Sequence, residues 1–443
     1  MNLPSQIYRL ARGAYRSLSL KPPRQRELFY KEILQSSEGK SQAYLQSLLD
    51  YATLRVPYYT NLADFWREGN SELAHFPLLT KPLIRDNFER LKSDEIASRN
   101  CFLNSSGGST GQPISIMQDR EFEEWREATE LFYYRQFLGI DLGGLPQVIL
   151  WGSTKDIKRQ TNTQGVKGKL LKFIQPTTFL NSFKMTKEDL QKYVEIINQE
   201  RPVLIKAYAG SLYQLAKFVR NNNLSIHRPK ILYTSAETLR PFMRELIEDV
   251  FRCKVYDFYG SREVGAIAGE CSRGKMHIFN FNNYVEVVDR DNNTVRFGEE
   301  GRILVTTLHN HTMPLIRYEI GDMAIPGKPC QCGSPLPTLE RVTGRVKDHF
   351  LTRAGTLVDG GYFTRQFYFR NWVDEFQVLQ KDFDRIEIYY VSNGEPVASE
   401  MADICTQIQL AMGEDCQIEW HQVEEVPRTP QGKLLYTRSL VNS

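Results

Sequence analysis

The sequence predicts an α/β fold: a large N-terminal domain of parallel-rich sheets with helices plus a β-rich subdomain, and a small mobile α+β C-terminal domain. Short apolar runs alternate with helical segments between residues 147 and 258, which is typical of parallel strands joined by crossover helices. Apolar runs without long helices between them continue to residue 307. A compact module begins near Gly344, so we expect domains over residues 1–344 and 345–443.

Local periodicity assigns the elements in order. Helical periodicity covers residues 27–60 and 120–140, and residues 76–81 have the pattern of a strand or turn that leads into another helix. The alternating region predicts strands at residues 147–151, 203–207, 231–235 and 254–258, with helices at residues 186–198 and 211–221. The β-rich region predicts strands at residues 284–289 and 301–307. The C-terminal module predicts strands at residues 376–380, 385–391 and 417–423 and a helix at residues 399–412.

Composition narrows the class of protein. With 443 residues, of which 41% are hydrophobic, the chain can bury a large core in two or three domains. The formal charge of +3 does not favour a nucleic-acid-binding protein. No apolar run approaches the roughly 20 residues that span a bilayer. The seven cysteines form an odd set in a large chain, which favours a reducing, cytoplasmic location.

The first 26 residues carry six basic side chains and no acidic one, with apolar residues between them. Two interpretations stay open. The segment is a solvated helix packed on the body of the protein, or it is a peripheral contact with an anionic membrane. It lacks the continuous apolar region and the cleavage site of a signal peptide.

A run rich in glycine and hydroxyl groups, Asn104-Ser-Ser-Gly-Gly-Ser-Thr-Gly-Gln-Pro113, is the most informative motif. Glycine permits positive φ and close backbone approach, so the N–H groups of such a loop can surround a polyphosphate. The run lacks the lysine of the Gly-x-x-x-x-Gly-Lys-Ser/Thr loop, and alone it is more typical of a flexible surface turn than of a phosphate site. The candidate phosphate-binding residues are Ser105, Ser106, Gly107, Gly108, Ser109, Thr110 and Gly111.

Further segments follow this loop in a definite order. They are Tyr233-Thr-Ser-Ala-Glu237, Tyr256-Asp-Phe-Tyr-Gly-Ser-Arg-Glu263, Arg317-Tyr-Glu-Ile-Gly-Asp322, Thr343-Gly-Arg-Val-Lys-Asp348 and Pro427-Arg-Thr-Pro-Gln-Gly-Lys433. From about residue 40 to the end, the set resembles the motifs of the adenylate-forming superfamily, which contains acyl-CoA synthetases, peptide-synthetase adenylation domains and luciferases. The branch it resembles is the phenylacetate-CoA ligase family, and within it the capsule polysaccharide biosynthesis proteins.

This resemblance implies ATP-dependent activation of a small-molecule carboxylate as an acyl-adenylate, with release of pyrophosphate and transfer of the acyl group to coenzyme A, an amine or a hydroxyl. The implied nucleotide-binding residues are Ser235, Ala236, Glu237, Asp257, Phe258, Tyr259, Gly260, Ser261 and Asp322. Within this set, Tyr259 would stack on adenine, Asp257 would meet its amino edge, and Asp322 would accept hydrogen bonds from the ribose.

The implied catalytic residues are Lys433, Glu263 and Arg345. Glu263 would hold Mg²⁺, which prefers oxygen ligands, and Arg345 would lie near the ribose or the phosphates. Lys433 would stabilise the charge that develops between carboxylate and α-phosphate. Because Lys433 lies in the C-terminal module, the resemblance also implies rotation of that module, with Lys347 at the hinge position and near the nucleotide.

Three cysteines and one histidine have the composition of a structural zinc site. They are Cys271, His277, Cys330 and Cys332, and the two pairs are far apart in the sequence, so folding would have to unite them. Buried free cysteines are the alternative. A closed set of four protein ligands would leave no open position for catalysis.

Some features leave the function open. The phosphate loop lacks the lysine that many relatives place after its proline, and residues 354–361 differ from the glycine-rich segment that helps to recognise coenzyme A. The acyl pocket would lie near residues 151–153 and 208–211, where aromatic side chains suit either a planar acid or core packing. A nucleotide-binding or assembly protein with reduced turnover is the alternative to the enzyme.

Overall fold

The computed structural model describes residues 24–35, 40–62, 73–106, 114–142, 145–151, 177–182, 185–345, 350–354, 357–358, 360–367, 370, 372–428 and 434–441. The helices are α1 (Arg24–Gln35), α2 (Lys40–Arg55), α3 (Lys81–Asp86), α4 (Arg120–Phe132) with a π-helical extension (Tyr133–Phe137), α5 (Lys187–Glu200), α6 (Ala209–Asn221), α7 (Pro241–Phe251), α8 (Gly360–Arg365) and α9 (Ala398–Met412). The strands are β1 (Cys101–Ser105), β2 (Ser115–Asp119), β3 (Gln147–Trp151), β4 (Thr177–Asn181), β5 (Leu204–Tyr208), β6 (Ile231–Ser235), β7 (Val255–Ser261), β8 (Gly265–Glu270), β9 (Met276–Ile278), β10 (Asn283–Val288), β11 (Gly301–Thr307), β12 (Tyr318–Gly327), β13 (Thr338–Arg345), β14 (Phe350–Leu351), β15 (Leu357–Val358), β16 (Val373–Asp382), β17 (Arg385–Ser392), β18 (Gln417–Gln422) and β19 (Thr437–Ser439).

An eleven-stranded sheet dominates the part before residue 346, in the order β10-β11-β12-β13-β9-β8-β7-β6-β5-β3-β4. The strands from β4 to β7 pair in parallel, as the alternation of strands and helices predicts. From β7 to β10 the pairing is antiparallel. The predicted α/β fold is confirmed, and the β-rich region continues the parallel half within the same sheet.

The sequence prediction missed several strands because their residues do not form apolar runs. One example is β8, whose composition is Gly-Ala-Ile-Ala-Gly-Glu and whose residues are all buried. Small residues weaken intrinsic strand preference, but packing requires them here. A Cβ atom at Gly269 would lie 2.4 Å from a ring carbon of Tyr133, so the aromatic core excludes a larger side chain.

Helices cover both faces of the parallel half. One face packs against α5, α6 and α7 around Ile205, Leu232 and Val255. The other face packs against α4 and its π-helical extension, where Tyr133 and Tyr134 contact Tyr233. The carboxyl ends of β3, β5, β6 and β7 therefore meet at one edge between two helical layers, and ligands bind at this edge in open α/β sheets.

The C-terminal module contains a four-stranded sheet in the order β18-β17-β16-β19, with α9 packed on one face. This module contacts α6 directly. Lys217 Nζ lies 2.7 Å from Asp374 Oδ1, and Gln214 Nε2 donates to Glu375 Oε1 at 2.7 Å. Tyr436 packs with the hydrophobic clusters of both parts. The boundary between residues 344 and 345 stays a prediction.

A buried ion pair ties the segment before β12 to the body of the sheet. Arg317 is 4% exposed, has a φ of 50°, and places its Nε 3.2 Å from Glu286 Oε2. Its guanidinium also donates to the carbonyl of Ala74. Burial raises the pKa of Glu286, while Arg317 opposes this rise. The pair therefore positions the strand that carries Asp322.

Replacing Arg317 with methionine is expected to lower the free energy of unfolding by about 3–5 kcal/mol, because it leaves the Glu286 carboxylate buried without its cation. Urea titration measures the change. Arg252→Met is the matched control, since Arg252 pairs with Asp249 on the surface and its side chain is 73% exposed. Adding Glu286→Gln to Arg317→Met should recover part of the loss, and no recovery would contradict the ion-pair explanation.

Candidate active site

The base of the glycine-rich loop is closed by backbone and hydroxyl contacts. Ser105 ends β1, and the Ser106 N–H donates to the carbonyl of Ile114 at 2.9 Å. The Ile114 N–H in turn donates to the Ser106 hydroxyl at 2.9 Å. Both ends of the loop are thus held together, while Gly107, Gly108, Ser109, Thr110 and Gly111 lie outside the described residues.

The β1–β2 hairpin that carries this loop is fixed to the turn containing Glu263. Gln118 Nε2 donates to the carbonyls of Arg262 and Glu263 at 2.9 and 3.1 Å. Asn104 Nδ2 donates to Gln118 and, at 3.3 Å, to the Arg262 carbonyl. Glu263 itself is 7% exposed. The structure therefore places the predicted magnesium ligand beside the base of the predicted phosphate loop.

Glycine is required in the motif strand β7 at Gly260. A Cβ atom there would lie 2.6 Å from the carbonyl oxygen of Gly265 in the adjacent strand. The neighbouring Ser261 hydroxyl accepts from the N–H of Glu263 at 3.2 Å. These contacts form a tight turn that holds Glu263 close to the strand end.

Tyr259 and Asp322 meet although three strands separate β7 from β12 in the sheet. The Tyr259 hydroxyl donates to Asp322 Oδ2 at 2.7 Å. In a flat sheet, strands four positions apart would be about 19 Å apart, so this hydrogen bond requires the sheet to curl. Arg345 is the register partner of Asp322 on β13. Asp322 thus contacts Tyr259 through its side chain and neighbours Arg345 through the strand register.

Ser235 is the last residue of β6, beside Phe258 of β7, and Ala236 and Glu237 follow it. Ala236 is exposed and has a φ of 69°, a left-handed conformation that is uncommon for alanine. Glu237 Oε2 accepts from the N–H of Gly210 at 2.7 Å. This carboxylate therefore fixes the strained turn to the first residues of α6, and the backbone of the turn lines the strand edge.

Asp257 lies in a network of charged residues behind the same edge. Its carboxylate accepts from the Thr234 hydroxyl at 3.0 Å, and its N–H donates to Glu270 Oε2 at 2.9 Å. Arg244 pairs with that Glu270 oxygen at 2.7 Å. Burial, with repulsion from Glu270, raises the pKa of Asp257 to about 7, while Thr234 and Arg244 oppose the rise. Sequence reasoning missed Arg244 and Glu270, which belong to no motif.

Nucleotide binding is expected to depend on this pKa if Asp257 accepts from the adenine amino group. Asp257 is deprotonated above about pH 7, so affinity for AMP should rise about tenfold between pH 6 and pH 8. Titration calorimetry at these pH values measures the change. Asp257→Asn keeps an acceptor oxygen and cannot titrate. Ionisation of AMP itself affects both proteins equally, so any difference in the pH dependence of their affinities is due to Asp257. Equal pH dependence in both would contradict the prediction.

Three further predicted site residues, Phe258, Lys347 and Lys433, are not seen among the side-chain contacts described above. Phe258 lies in the aromatic core, with its ring centroid 5.1 Å from that of Tyr233. Lys347 and Lys433 lie outside the described residues. Arg428 and Leu434, the described residues on either side of residues 429–433, form a β-bridge, and Arg428 Nη2 lies 2.5 Å from Glu375 Oε1. The base of the Lys433 loop is therefore anchored near α6, whose first turn binds Glu237.

The four candidate zinc ligands converge because β9 pairs with β13. Cys271 follows β8, His277 lies in β9, and Cys330 and Cys332 lie in the turn that precedes β13. His277 is the register partner of Thr338. The ligand atoms of the four residues all lie within 4.8 Å of one another. Two ligand pairs more than fifty residues apart thus form one cluster.

The donor set fits a metal cation. Cys271 Sγ lies 3.7 Å from Cys330 Sγ, and Cys332 Sγ lies 3.3 Å from His277 Nε2. His277 Nδ1 faces the carbonyl of Leu336 at 3.3 Å. Because a carbonyl only accepts, Nδ1 carries the proton and Nε2 is free to bind a metal. The Arg273 N–H donates to Cys271 Sγ at 3.3 Å, which would stabilise a thiolate.

Comparisons with known proteins agree with this architecture. A family model described as the CapK C-terminal domain matches residues 350–439. Protein CapK of Staphylococcus aureus is 23% identical over 419 residues, covering 92% of this chain and 86% of CapK. A phenylacetate-coenzyme A ligase of Thermus thermophilus is 24% identical over 330 residues, or 70% of each chain. A crystal structure of 2-hydroxyisobutyryl-CoA ligase in the postadenylation state superposes with a TM-score of 0.69 at 17% identity, covering 90% of this chain and 88% of the ligase.

The architecture is that of the adenylate-forming ligases. The chain is homologous to CapK and to the phenylacetate-CoA ligases, as the motif order predicts. None of the described helices is both long and apolar enough to cross a membrane. Residues 1–23, which carry most of the basic segment, lie outside the described part of the chain, and the relatives do not support a membrane contact there.

Proposed function

We propose that this protein uses ATP and Mg²⁺ to activate a carboxylic acid as an acyl-adenylate, and then transfers the acyl group to coenzyme A or another nucleophile. In the first step a carboxylate oxygen attacks the α-phosphorus of ATP, the bond from this phosphorus to the bridging oxygen breaks, and pyrophosphate leaves. The observation that carries the proposal is the Tyr259–Asp322 hydrogen bond of 2.7 Å, because it unites two distant motifs beside Arg345.

Each group of residues would perform one part of this step. Tyr259 would release or share its hydrogen bond to Asp322 when adenine and ribose bind, leaving the Asp322 carboxylate to accept from ribose hydroxyls. Glu263, held at the base of the phosphate loop, would bind Mg²⁺, which neutralises charge on the phosphates. The backbone N–H groups of residues 107–111 would surround the departing pyrophosphate.

Lys433 would reach the reacting atoms from the C-terminal module. Its loop is anchored through Arg428 and Glu375 next to α6, so the module is positioned to bring an ammonium to the strand edge. Movement about Lys347 would then withdraw this charge for the second step. We propose this module as the mobile part, over residues 345–443.

The proposed acyl acceptor is coenzyme A, an amine or a hydroxyl. Residues 354–361 depart from the segment that recognises coenzyme A in the ligases, which leaves an amine or a hydroxyl as an alternative acceptor. The motifs also resemble those of the capsule polysaccharide biosynthesis proteins, and the similarity to CapK covers 92% of the chain, so the proposed setting is the biosynthesis of a surface polysaccharide.

We also propose that the Cys271, His277, Cys330 and Cys332 cluster holds a structural zinc ion. Four protein ligands would complete a tetrahedral site, so the ion would crosslink the β8–β9 hairpin to the β12–β13 turn and take no part in the reaction. Its position near the short pairing between β9 and β13 would stabilise the curl that brings Asp322 to Tyr259.

Carboxylate-dependent exchange of labelled pyrophosphate into ATP tests the first step. A panel of aliphatic, aromatic and hydroxylated acids should contain at least one that supports exchange in the presence of Mg²⁺. Asp322→Asn should lower this exchange, with the loss mainly in nucleotide affinity. Exchange with no acid, together with measurable ATP binding, would instead support the nucleotide-binding or assembly protein.

A further inference from the structure

A lysine side chain lies behind the strand edge of the candidate active site. Lys206 occupies β5 in register with Tyr233 of β6, and the next partners on the same face, Tyr208 and Ser235, end these strands. Two residues span about 7 Å along a strand. The Lys206 backbone therefore lies about 7 Å along the strand from the carboxyl-end edge at which the carboxylate of the substrate would react, a distance similar to the length of one aromatic ring.

The Lys206 ammonium lies among aromatic rings and one carboxylate. Its Nζ is 4.7 Å from the ring centroid of Tyr233 and 6.0 Å from that of Trp151. The nearest carboxylate oxygen among the ion pairs of the described residues is Oε2 of Glu130 on α4, at 3.9 Å. This distance exceeds a hydrogen bond, so the ammonium and the carboxylate each keep capacity for a further partner.

Two tyrosine hydroxyls border the same place. Tyr233 is fully buried and Tyr134 is 9% exposed, with ring centroids 5.9 Å apart. Burial raises the pKa of both hydroxyls well above the usual range, and Glu130 raises them further. Both therefore stay protonated at neutral pH. Trp151 and Tyr208, with centroids 4.1 Å apart, complete an aromatic wall toward the strand ends.

The Lys206 ammonium, the Glu130 carboxylate and the surrounding aromatic rings favour some substrates over others, according to the group that the substrate carries at the end remote from its reacting carboxylate. An alkyl or unsubstituted aryl group would displace water from Lys206 and Glu130 and would not replace the hydrogen bonds that this water makes to the two side chains. A second carboxylate would accept from Lys206 but would be repelled by Glu130. A hydroxyl group can accept from the ammonium and donate to the carboxylate at once. Flat rings pack well against aromatic side chains.

Given the proposed function, we propose that the acid activated by this protein is a hydroxyaryl carboxylic acid, whose ring packs against Trp151 and Tyr208 toward the strand ends and whose hydroxyl is bound by Lys206 and Glu130. Lys206 and Glu130 are then residues that determine specificity.

Matched pairs of acids test this inference in the exchange assay. The pairs are 4-hydroxybenzoate with benzoate and 4-hydroxyphenylacetate with phenylacetate, and adipate is the dicarboxylate. We expect the hydroxylated member of at least one pair to have a kcat/KM about tenfold or more above its partner and above adipate. Lys206→Met and Glu130→Gln should each reduce this preference to less than about threefold, while exchange with the unsubstituted acid is kept or increased. Lys230→Met, at an exposed lysine just before β6, is the control that should leave the preference unchanged.

The two proposals fail in different ways. Equal rates within both pairs, a preference for adipate, or an unchanged hydroxyl preference in both variants would overturn the specificity inference while exchange itself supports adenylation. Exchange with no acid would overturn the proposed function and the inference with it. Glu130 is the more exposed residue of the Lys206–Glu130 pair, so Glu130→Gln is expected to fold normally. Its hydroxyl preference therefore tests the specificity inference even if Lys206→Met folds poorly.

Discussion

Replacing Lys433 with alanine is expected to lower the rate of carboxylate-dependent pyrophosphate exchange by about 10²- to 10³-fold, the usual effect of removing one group that stabilises transition-state charge. The physical reason is that the ammonium would be aimed at charge that develops only as the carboxylate oxygen approaches the α-phosphorus. The loss should therefore lie mainly in kcat, with the affinity for ATP changed little.

The second half-reaction separates this role from a general structural one. Transfer from a preformed acyl-adenylate should proceed at nearly the normal rate in Lys433→Ala, because the lysine would have been withdrawn by then. Lys381→Ala is the matched control, since Lys381 is an exposed lysine of the same module and pairs with Glu387. Normal exchange by Lys433→Ala would remove the lysine from the mechanism.

Removing the proposed zinc ligands is expected to have the largest effect on stability. Zinc binding to a four-ligand structural site contributes on the order of 10 kcal/mol, comparable with the whole free energy of unfolding of a typical domain. We expect the purified protein to contain about one zinc per chain by atomic spectroscopy, and Cys330→Ser with Cys332→Ser to contain none. The double variant should lose several kcal/mol, which lowers Tm by at least about 10 °C.

A second pair of cysteines provides the control. Cys101 and Cys405 lie outside the four-residue cluster, so Cys101→Ser with Cys405→Ser should keep the zinc. Pyrophosphate exchange by the zinc-free protein should fall only as far as the fold is lost, because the metal would have no role in the reaction. A protein that refolds fully in the presence of chelator, with an unchanged Tm, would contradict the structural role.

Local sequence patterns determine much of this protein. Each parallel strand and its crossover helix has its own periodicity, because strand and helix bury side chains with periods that a short window reveals. The predicted strands at residues 147–151, 231–235 and 301–307 agree with the observed bounds. The motif order was sufficient to predict the adenylate-forming fold and the homology to CapK and the phenylacetate-CoA ligases. The three cysteines and the histidine that the fold brings together were recognisable from their chemistry as candidate metal ligands.

Tertiary structure decided the features that depend on contacts between distant segments. These features are the curl of the eleven-stranded sheet, the Tyr259–Asp322 hydrogen bond and the pairing of β9 with β13. Tyr259 and Asp322, for example, are more than sixty positions apart in the sequence. The raised pKa of Asp257 arises from burial and from the nearby Glu270 carboxylate. The motif alone predicts neither the burial nor the position of Glu270. Likewise Lys206 is an ordinary strand residue until α4 brings Glu130 to it. Periodicity reports which face of an element is buried, whereas the partner across that face is chosen only when the chain folds.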